Sequence, residues 1–355
     1  MSRSFGWGIV GTGKAAHRFA DDVPLSAGGY LAGITSRSRD KAQAFADRYG
    51  ARLVTTDLTK LAADDLVSAV YIATPNVAHK AQILEVIEAG KPVLCEKPIA
   101  LSSADLKEIK AGAEANDVIV MEGFWTRMLP TFREVYASVE TGKIGTPLHL
   151  SISLGLSRVE TEGDAVTDPK LGGGALFDLG LYCVGLRNTL LGRGRQVVMH
   201  GKRSDRGALR HVTVVSEHDG GATCTLEISH ACQLGNAIRL TGDRASISVP
   251  APFIRGFPGR LMPAPASGYQ DEGVASPRMA QLRRTALWPW LQAAVMTMRG
   301  DGGQTLGSRY KGTGLQYEMD ELARCVSGQV LQRPVFSLDD SLAALVDLEE
   351  IDSIR

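Results

Sequence analysis

The sequence predicts an α/β protein in two parts: an N-terminal doubly wound parallel sheet, and a C-terminal α+β domain with a largely antiparallel sheet. The chain has 355 residues, which is too many for one simple hydrophobic core. Up to residue 123, short apolar runs alternate with longer helical patterns, as in parallel strands joined by right-handed crossovers. Beyond it, strand-like runs follow one another without helices between them. We therefore expect domains at 1–123 and 124–355, with terminal helices able to pack back on the first.

The first domain contains apolar runs that predict buried strands, and segments with apolar residues at helical spacing. The predicted strands are Phe5–Val10, Tyr30–Thr35, Ala69–Ile72, Pro92–Cys95 and Val118–Met121. The predicted helices are Ala15–Asp22, Asp40–Arg48, Val77–Glu88 and Ala104–Ala115. Strict alternation of the two types indicates a parallel sheet with helices on both faces.

The second domain begins with a predicted helix at Thr131–Glu140, and another follows the glycines Gly172–Gly174. Alternating apolar and polar residues then predict antiparallel strands with one solvated face. These strands are Val197–Lys202, Val212–Glu217, Ala222–Ser229, Ala237–Thr241 and Ala245–Val249. The final segment, Leu315–Arg355, returns to helical patterns.

Residues 250–310 carry a weaker pattern. Pro250–Pro277 is rich in proline and glycine and predicts a long loop or lid. Leu282–Met298 contains Trp288 and Trp290 beside basic residues. We interpret it as a helix packed on the sheet or at a subunit contact, because Pro289 interrupts its amphipathic pattern. The alternative is a helix that binds a partner or a membrane surface.

Composition excludes several classes of function. Lys plus Arg and Asp plus Glu both number 39, so nothing predicts a nucleic-acid surface or an anionic membrane as partner. The five cysteines are scattered, without the spacing of a metal site or a redox dithiol. The apolar stretch Ala286–Met298 is too short to span a bilayer, and the first strand leaves no room for a signal peptide. We expect a cytoplasmic protein without a metal.

A glycine turn follows the first strand directly. Gly11, Thr12, Gly13, Lys14, Ala15 and Ala16 form a GxGxxA pattern between a strand and a helix. Gly11 permits the tight turn, Gly13 lets the backbone approach a pyrophosphate, and Ala16 allows close packing of helix on strand. The phosphate charge would meet the free N–H groups at the helix start. This context predicts a Rossmann domain that binds a nicotinamide dinucleotide.

The end of the second predicted strand indicates which dinucleotide. Domains that bind NAD usually place an acid there to accept from the ribose 2′-hydroxyl, whereas this chain has Ser36 and Arg37, with no acid before Asp40. A hydroxyl and a guanidinium can bind a 2′-phosphate, so we expect NADP, with NAD possible. The alternative is that Arg37 only stacks on the adenine.

Polar residues also follow two later strands, at the sheet edge where ligands bind. Thr74, Pro75 and Asn76, with His79 close behind, are assigned to the cofactor. Glu96 and Lys97 end the next strand and are placed for cofactor binding and catalysis, although such a pair could be a surface ion pair.

The second domain contributes another candidate group. Asp178 and Tyr182 lie four residues apart, so both project from one face of the helix that follows Gly172–Gly174. A carboxylate and a phenol beside a glycine loop can bind a hydroxylated substrate and move a proton. The alternative is that both are structural.

Taken together, these motifs resemble the Gfo/Idh/MocA oxidoreductases. The resemblance rests on Gly8–Gly13, Glu96–Pro98, Met121–Arg127 and Gly172–Tyr182, in that order and spacing, and it extends through the tail from Tyr317 to Ala344. Within the family, Trp125, Arg127 and the segment from Asp178 to Cys183 look most like the branch of dimeric dihydrodiol dehydrogenases and NADP-dependent D-xylose dehydrogenases. Gly123, where that branch has Ala, and the insertion after Pro250 are departures.

The resemblance implies the roles of individual residues. Lys97 matches the catalytic lysine, Tyr182 the proton donor or acceptor, and Asp178 an acid that faces the substrate. Trp125 and Arg127 are similar to residues that line the nicotinamide and substrate pocket. The Lys97–Pro98 bond is often cis in relatives. Copies of the chain are expected to pair as a homodimer or a higher homo-oligomer.

These observations predict an NADP-dependent dehydrogenase that acts on CH–OH groups of a small polyhydroxylated substrate, a sugar or a cyclic diol. Lys97 would orient the substrate hydroxyl and lower the pKa of Tyr182, which exchanges the proton. Two alternatives stay open: an NADP-binding regulator without catalysis, and an NAD-dependent glycosidase of the same family. The specific substrate and the direction of the reaction are not predicted.

Overall fold

The computed structural model describes residues 4–264, 302–328 and 334–353, with scattered positions between 276 and 291. Within these ranges the chain forms two sheets, one of six strands and one of eight, each covered by helices. Most of Leu282–Met298 and the second half of Pro250–Pro277 lie outside the described residues. No helix in the described ranges is long and apolar enough to cross a membrane.

The N-terminal part is a Rossmann domain. Its strands are β1 (Phe5–Val10), β2 (Gly29–Thr35), β3 (Leu53–Thr55), β4 (Ala69–Ile72), β5 (Val93–Glu96) and β6 (Val120–Gly123). Its helices are α1 (Lys14–Asp22), α2 (Arg39–Tyr49), α3 (Leu58–Ala62), α4 (His79–Glu88) and α5 (Ser103–Ala115). All strand pairs are parallel, in the order β3-β2-β1-β4-β5-β6, so the order reverses between β1 and β4 and opens a ligand crevice there. The sequence pattern did not predict β3 and α3, which are only three and five residues long.

The C-terminal part packs a mixed sheet against helices. The helices are α6 (Trp125–Met128), α7 (Pro130–Glu140), α8 (Leu181–Leu191), α9 (Gln316–Val326) and α10 (Leu338–Asp352), with a π-helical turn at Leu176–Gly180. The strands are β7 (Pro147–Gly155), β8 (Arg195–Arg203), β9 (Leu209–Glu217), β10 (Thr223–Ser229), β11 (Ile238–Gly242), β12 (Ala245–Val249), β13 (Gly259–Pro263) and β14 (Gln304–Leu306).

The eight strands lie in the order β14-β13-β12-β11-β7-β10-β9-β8. Every neighbouring pair is antiparallel except β7 and β10, which run parallel at the centre. The sequence prediction omitted β7, and it was wrong to make all of Pro250–Pro277 a loop, because Gly259–Pro263 pairs with β12. Since β7 and β10 are parallel, their carboxyl ends meet at one edge of the sheet.

The chain returns to the Rossmann domain at its C-terminal end. Helix α10 lies on α5, and its Ser341 hydroxyl donates a hydrogen bond of 2.6 Å to the buried Glu122 carboxylate on β6. At the other side, the buried Asp22 carboxylate at the end of α1 accepts hydrogen bonds from the backbone N–H groups of Thr313 and Leu315. These contacts attach the C-terminal segment to the Rossmann domain.

Candidate active site

The glycine turn after β1 leaves the start of α1 open. Gly11 has φ of +102°, and a Cβ there would lie 2.8 Å from the Ala73 carbonyl oxygen. Gly13 is the N-cap of α1 and makes no side-chain capping bond. A Cβ on Gly13 would find its nearest atom 3.9 Å away, so no protein group fills that space. The fold therefore requires glycine at position 11, and position 13 leaves room for a ligand.

This turn fits a dinucleotide pyrophosphate. The uncapped N–H groups and the positive end of α1 face the crevice between β1 and β4, where nucleotides bind in such sheets. Thr12 and Ala15 are half-buried there and Lys14 is exposed in the first turn, while Ala16 is buried against the sheet. These residues would hold the phosphates of a bound nicotinamide dinucleotide.

The end of β2 presents a hydroxyl and a guanidinium. Ser36 is half-buried and its Oγ accepts a hydrogen bond from the Ser38 backbone N–H at 3.4 Å, while Arg37 is exposed. Ser38 caps α2, which places Asp40 in the first turn of that helix. No carboxylate therefore stands between β2 and α2, at the position where an NAD-type acid would accept from the ribose.

The residues after β4 connect the two domains. Thr74 donates to Gln82 at 2.6 Å, and the Asn76 amide donates to the Gly172 carbonyl oxygen at 3.1 Å. His79 is fully buried, with one ring nitrogen 2.9 Å from the Pro98 carbonyl oxygen and the other 3.0 Å from that of Thr74. The expected direct contact of His79 with the cofactor is not supported, because both its nitrogens are occupied by backbone. Its ring instead ties the Thr74 and Lys97–Pro98 loops together.

Glu96 ends β5 and Lys97 follows it, and their side chains point in different directions. The Tyr71 hydroxyl donates to Glu96 at 2.7 Å, and the other Glu96 oxygen accepts from the Lys97 backbone N–H. The Lys97–Pro98 bond is cis. The Lys97 ammonium donates to the Asp178 backbone oxygen at 2.5 Å and to its carboxylate at 3.0 Å. The interpretation of Glu96–Lys97 as an isolated surface ion pair is therefore wrong.

Asp178 lies at the centre of a polar cluster that also contains Lys97, Tyr182, His230 and Arg158. One carboxylate oxygen accepts from Lys97, and the other lies 3.0 Å from Nε2 of His230 and 3.4 Å from Nε of Arg158. Burial alone would raise the pKa of Asp178, but Lys97 and His230 outweigh it and hold the pKa well below its usual range. Burial likewise opposes the charge on Lys97, and Asp178 nevertheless raises the pKa of Lys97. At neutral pH the two side chains form an ion pair.

Tyr182 stands one turn further along the same helical face. Its hydroxyl accepts a 2.8 Å hydrogen bond from the Trp125 indole, and the Lys97 ammonium lies 5.0 Å from the centre of its ring. Burial raises the pKa of Tyr182 to about 12, although the charge of Lys97 acts in the opposite direction. The expectation that Lys97 brings this pKa below that of free tyrosine is therefore not met. Tyr182 is a neutral phenol, held by Trp125 and able to donate its proton.

Arg127 lies away from this cluster. Its guanidinium carbon is 3.4 Å from the centre of the Tyr136 ring, and its Nε is buried without a hydrogen-bond partner. Because the side chain is 9% exposed and stacks inside the domain, the expected place of Arg127 in the cofactor pocket is not supported. Trp125, on the same short helix, does reach the cluster through Tyr182.

Two residues of the cluster, His230 and Arg158, were not predicted from the sequence. His230 follows the end of β10, and Arg158 comes three residues after the end of β7. The missing signal was the strand at Pro147–Gly155, whose alternating Leu148, Leu150, Ile152 and Leu154 match the period of a strand. Only its parallel pairing with β10 brings both residues to Asp178.

Comparisons with known proteins agree with this architecture. Residues 5–124 match the profile of the oxidoreductase family with NAD-binding Rossmann fold, GFO_IDH_MocA, and residues 132–248 match the GFO/IDH/MocA C-terminal domain. Over 349 residues the chain is 24% identical to trans-1,2-dihydrobenzene-1,2-diol dehydrogenase of Xenopus laevis, covering 96% of both chains.

Two further proteins are similar to this chain over different shares of its length. Over 220 residues the chain is 33% identical to scyllo-inositol 2-dehydrogenase (NADP(+)) IolU of Bacillus subtilis strain 168. That alignment spans 60% of this chain and 66% of the relative, slightly less than two thirds of its length. The crystal structure of KijD10, a 3-ketoreductase from Actinomadura kijaniata in complex with NADP and TDP-benzene, superposes with a TM-score of 0.76 at 20% identity. The superposition covers 98% of this chain and 96% of that one, and it establishes the shared fold.

Proposed function

The chain belongs to the Gfo/Idh/MocA family of NAD(P)-dependent oxidoreductases, and from this premise we propose that it transfers a hydride between NADP and a carbinol carbon of a small polyhydroxylated substrate. The observation that carries the proposal is the cluster of Lys97, Asp178 and Tyr182 beside the crevice of the Rossmann sheet. A charged lysine and a neutral phenol there can both reach one substrate oxygen. The bound cofactor would supply the hydride for reduction as NADPH, or accept it in oxidation as NADP⁺.

The neutral state of Tyr182 defines its part in the reaction. In the reducing direction the phenol donates its proton to the substrate carbonyl oxygen as the carbon receives the hydride. Lys97 donates a hydrogen bond to the same oxygen and stabilises the negative charge that develops on it. In the oxidising direction Tyr182 must first release its own proton, and the phenolate oxygen then takes the proton of the substrate hydroxyl as the carbon gives up the hydride. Trp125 fixes the phenol and Asp178 fixes the ammonium.

The preference for NADP rests on the end of β2. Ser36 and Arg37 offer a hydroxyl and an exposed guanidinium where an acid would repel a 2′-phosphate. The similarity to an NADP(+)-dependent scyllo-inositol dehydrogenase supports the same choice. That enzyme and the dihydrodiol dehydrogenases also support a cyclic polyol, sugar or diol as the substrate class.

Turnover with a panel of sugars, cyclic polyols and diols, followed as NADPH formation, tests the proposal. We expect steady formation with some members, and a loss of about 100-fold or more in kcat for Tyr182→Phe with nearly unchanged NADP affinity. Tyr30→Phe is the matched control, because the Tyr30 hydroxyl donates to the Leu66 carbonyl oxygen away from the cluster. Full turnover by Tyr182→Phe would refute its role.

The same panel separates the alternative functions. A non-catalytic regulator would bind NADP and form no NADPH with any substrate. A glycosidase that uses bound NAD would release a leaving group from a glycoside without net NADPH formation. Self-association of the chain stays a prediction, and sedimentation of the purified protein tests it.

A further inference from the structure

Arg158 is held rigidly at the edge of the cluster. Its backbone N–H donates to the His230 carbonyl oxygen at 2.9 Å, and its own carbonyl oxygen accepts from the Arg210 guanidinium at 2.9 Å. Arg210 also donates to the His230 carbonyl oxygen at 3.1 Å. Residues 158 and 230 therefore extend the parallel contact of β7 and β10. This contact fixes the backbone position of Arg158.

The guanidinium of Arg158 lacks a hydrogen-bond acceptor in the described part of the chain. Its Nε is buried and makes no hydrogen bond, and its ion pair with one Asp178 oxygen has a distance of 3.4 Å. That oxygen already accepts from His230, and the other accepts from Lys97. The Arg158 side chain is 37% exposed, so the group is open to a ligand. A buried polar donor without an acceptor is rare in native proteins and calls for an explanation.

The balance of charges around Arg158 also indicates a negatively charged ligand. Lys97, Arg158 and Arg210 bring three positive charges to this part of the site. Among the described residues, the one carboxylate within 4 Å of Lys97 or Arg158 is that of Asp178. Glu96 accepts from the Tyr71 hydroxyl, and Glu160, two residues after Arg158, pairs with Arg206. Asp178 balances Lys97, and the surplus is positive. The hydroxyl oxygens of a neutral polyol could accept from the Arg158 N–H groups, but they would leave its positive charge unbalanced.

We propose that Arg158 binds an oxyanion of the substrate, so that the enzyme acts on a sugar carrying a carboxylate or a phosphate ester. A planar guanidinium offers parallel N–H donors that match either group, and charge-assisted bonds of this kind are the stronger hydrogen bonds in proteins. The proposal rests on the proposed function in one respect: it places the substrate's reacting oxygen at Lys97 and Tyr182. Arg158 then selects substrates by charge and takes no part in proton transfer.

Three sugars with one ring test the proposal: glucose, glucuronate and glucose 6-phosphate differ only at carbon 6. Calorimetric titration into the full chain saturated with NADPH measures affinity without oxidation, because the hydride acceptor is already reduced. We expect one of the two anionic sugars to bind at least about tenfold more tightly than glucose, and the preferred one identifies the oxyanion. Arg158→Leu and Arg158→Gln should bring that ratio to within about twofold of one. Arg195→Leu, which removes an exposed arginine on β8, should leave it unchanged.

The possible outcomes test the anion site and the dehydrogenase proposal separately. Equal affinities, no binding of any of the three sugars by the wild type, or an undiminished preference in both Arg158 variants would overturn the anion site. Oxidation of the same sugars with NADP, measured in parallel, tests the proposed function separately. An Arg158-dependent preference without NADPH formation would leave the anion site standing and refute the dehydrogenase proposal. NADPH formation with equal affinities would do the reverse.

Discussion

Replacing Asp178 by Asn removes the charge that keeps the Lys97 ammonium stable inside the protein. The two groups are 3.0 Å apart, and their side chains are 12% and 15% exposed. Removing one partner of a buried ion pair costs about 3–5 kcal/mol, and residual solvent at this site places our expectation at the lower end, about 3 kcal/mol at pH 7. The amide oxygen can still accept from Lys97, and the amide NH2 then faces Nε2 of His230, to which it can donate, so the loss reports mainly on charge.

The pH dependence separates this cause from lost packing. In the wild type the raised pKa of Lys97 and the depressed pKa of Asp178 keep the pair's contribution constant from about pH 5 to pH 9. In Asp178→Asn burial becomes the main influence on Lys97 and lowers its pKa below the unfolded value of about 10.4. The folded state then binds fewer protons than the unfolded state, so the variant gains stability as pH rises, and its deficit should fall by about half between pH 7 and pH 10.

Urea unfolding at pH 7, 8.5 and 10 measures these differences. The control is Glu217→Gln, which breaks the exposed pair with Arg195 and should cost less than about 1 kcal/mol at every pH. A deficit of Asp178→Asn below about 1 kcal/mol, or one that does not shrink as pH rises, would refute the assignment of Lys97 as a buried ammonium dependent on Asp178.

Three other predictions concern the cofactor and the proton. Replacing Ser36 by Asp together with Arg37 by Ala should lower the ratio of catalytic efficiency with NADP to that with NAD about 100-fold, and an unchanged ratio would exclude Arg37 from the 2′-phosphate. Gly13→Ala should keep its melting temperature and lose NADP affinity at least about tenfold. Gly11→Ala should melt lower because of its φ of +102° and the 2.8 Å contact, and equal melting temperatures would contradict this division. With a Tyr182 pKa of about 12, carbonyl reduction should show a constant kcat/KM from pH 6 to pH 10, because the donor stays protonated below its pKa, and a fall with an apparent pKa under 9 would count against it.

The sequence predicted most of the Rossmann domain because its signals are local. Every predicted strand and helix of that part has a counterpart in the structure, with ends that differ by two residues or fewer. The glycine turn and the motifs around Lys97 and Tyr182 are also contiguous runs. The pairing of Asp178 with Lys97 was not predicted, since it depends on how the two domains meet.

The sequence did not show which side chains are buried, or which strands pair when they are distant along the chain. His79 and Arg127 stand in motifs beside functional residues, yet each side chain is turned into the protein, which only the three-dimensional packing reveals. The pKa of Tyr182 depends on the same information, because the effect of burial exceeds that of the neighbouring ammonium. Arg158 and His230 required the parallel pairing of strands that lie about seventy residues apart.

The hydrogen bonds of Asp22 and Glu122 have a consequence for biosynthesis. Both carboxylates are buried in the part of the chain made first, and their partners at Thr313, Leu315 and Ser341 are made last. A nascent chain still on the ribosome therefore holds a nucleotide domain with two acids that lack these partners. The cofactor-binding half gains these bonds only after the tail has emerged, so a chain truncated before residue 313 should lose stability in the domain farthest from the cut.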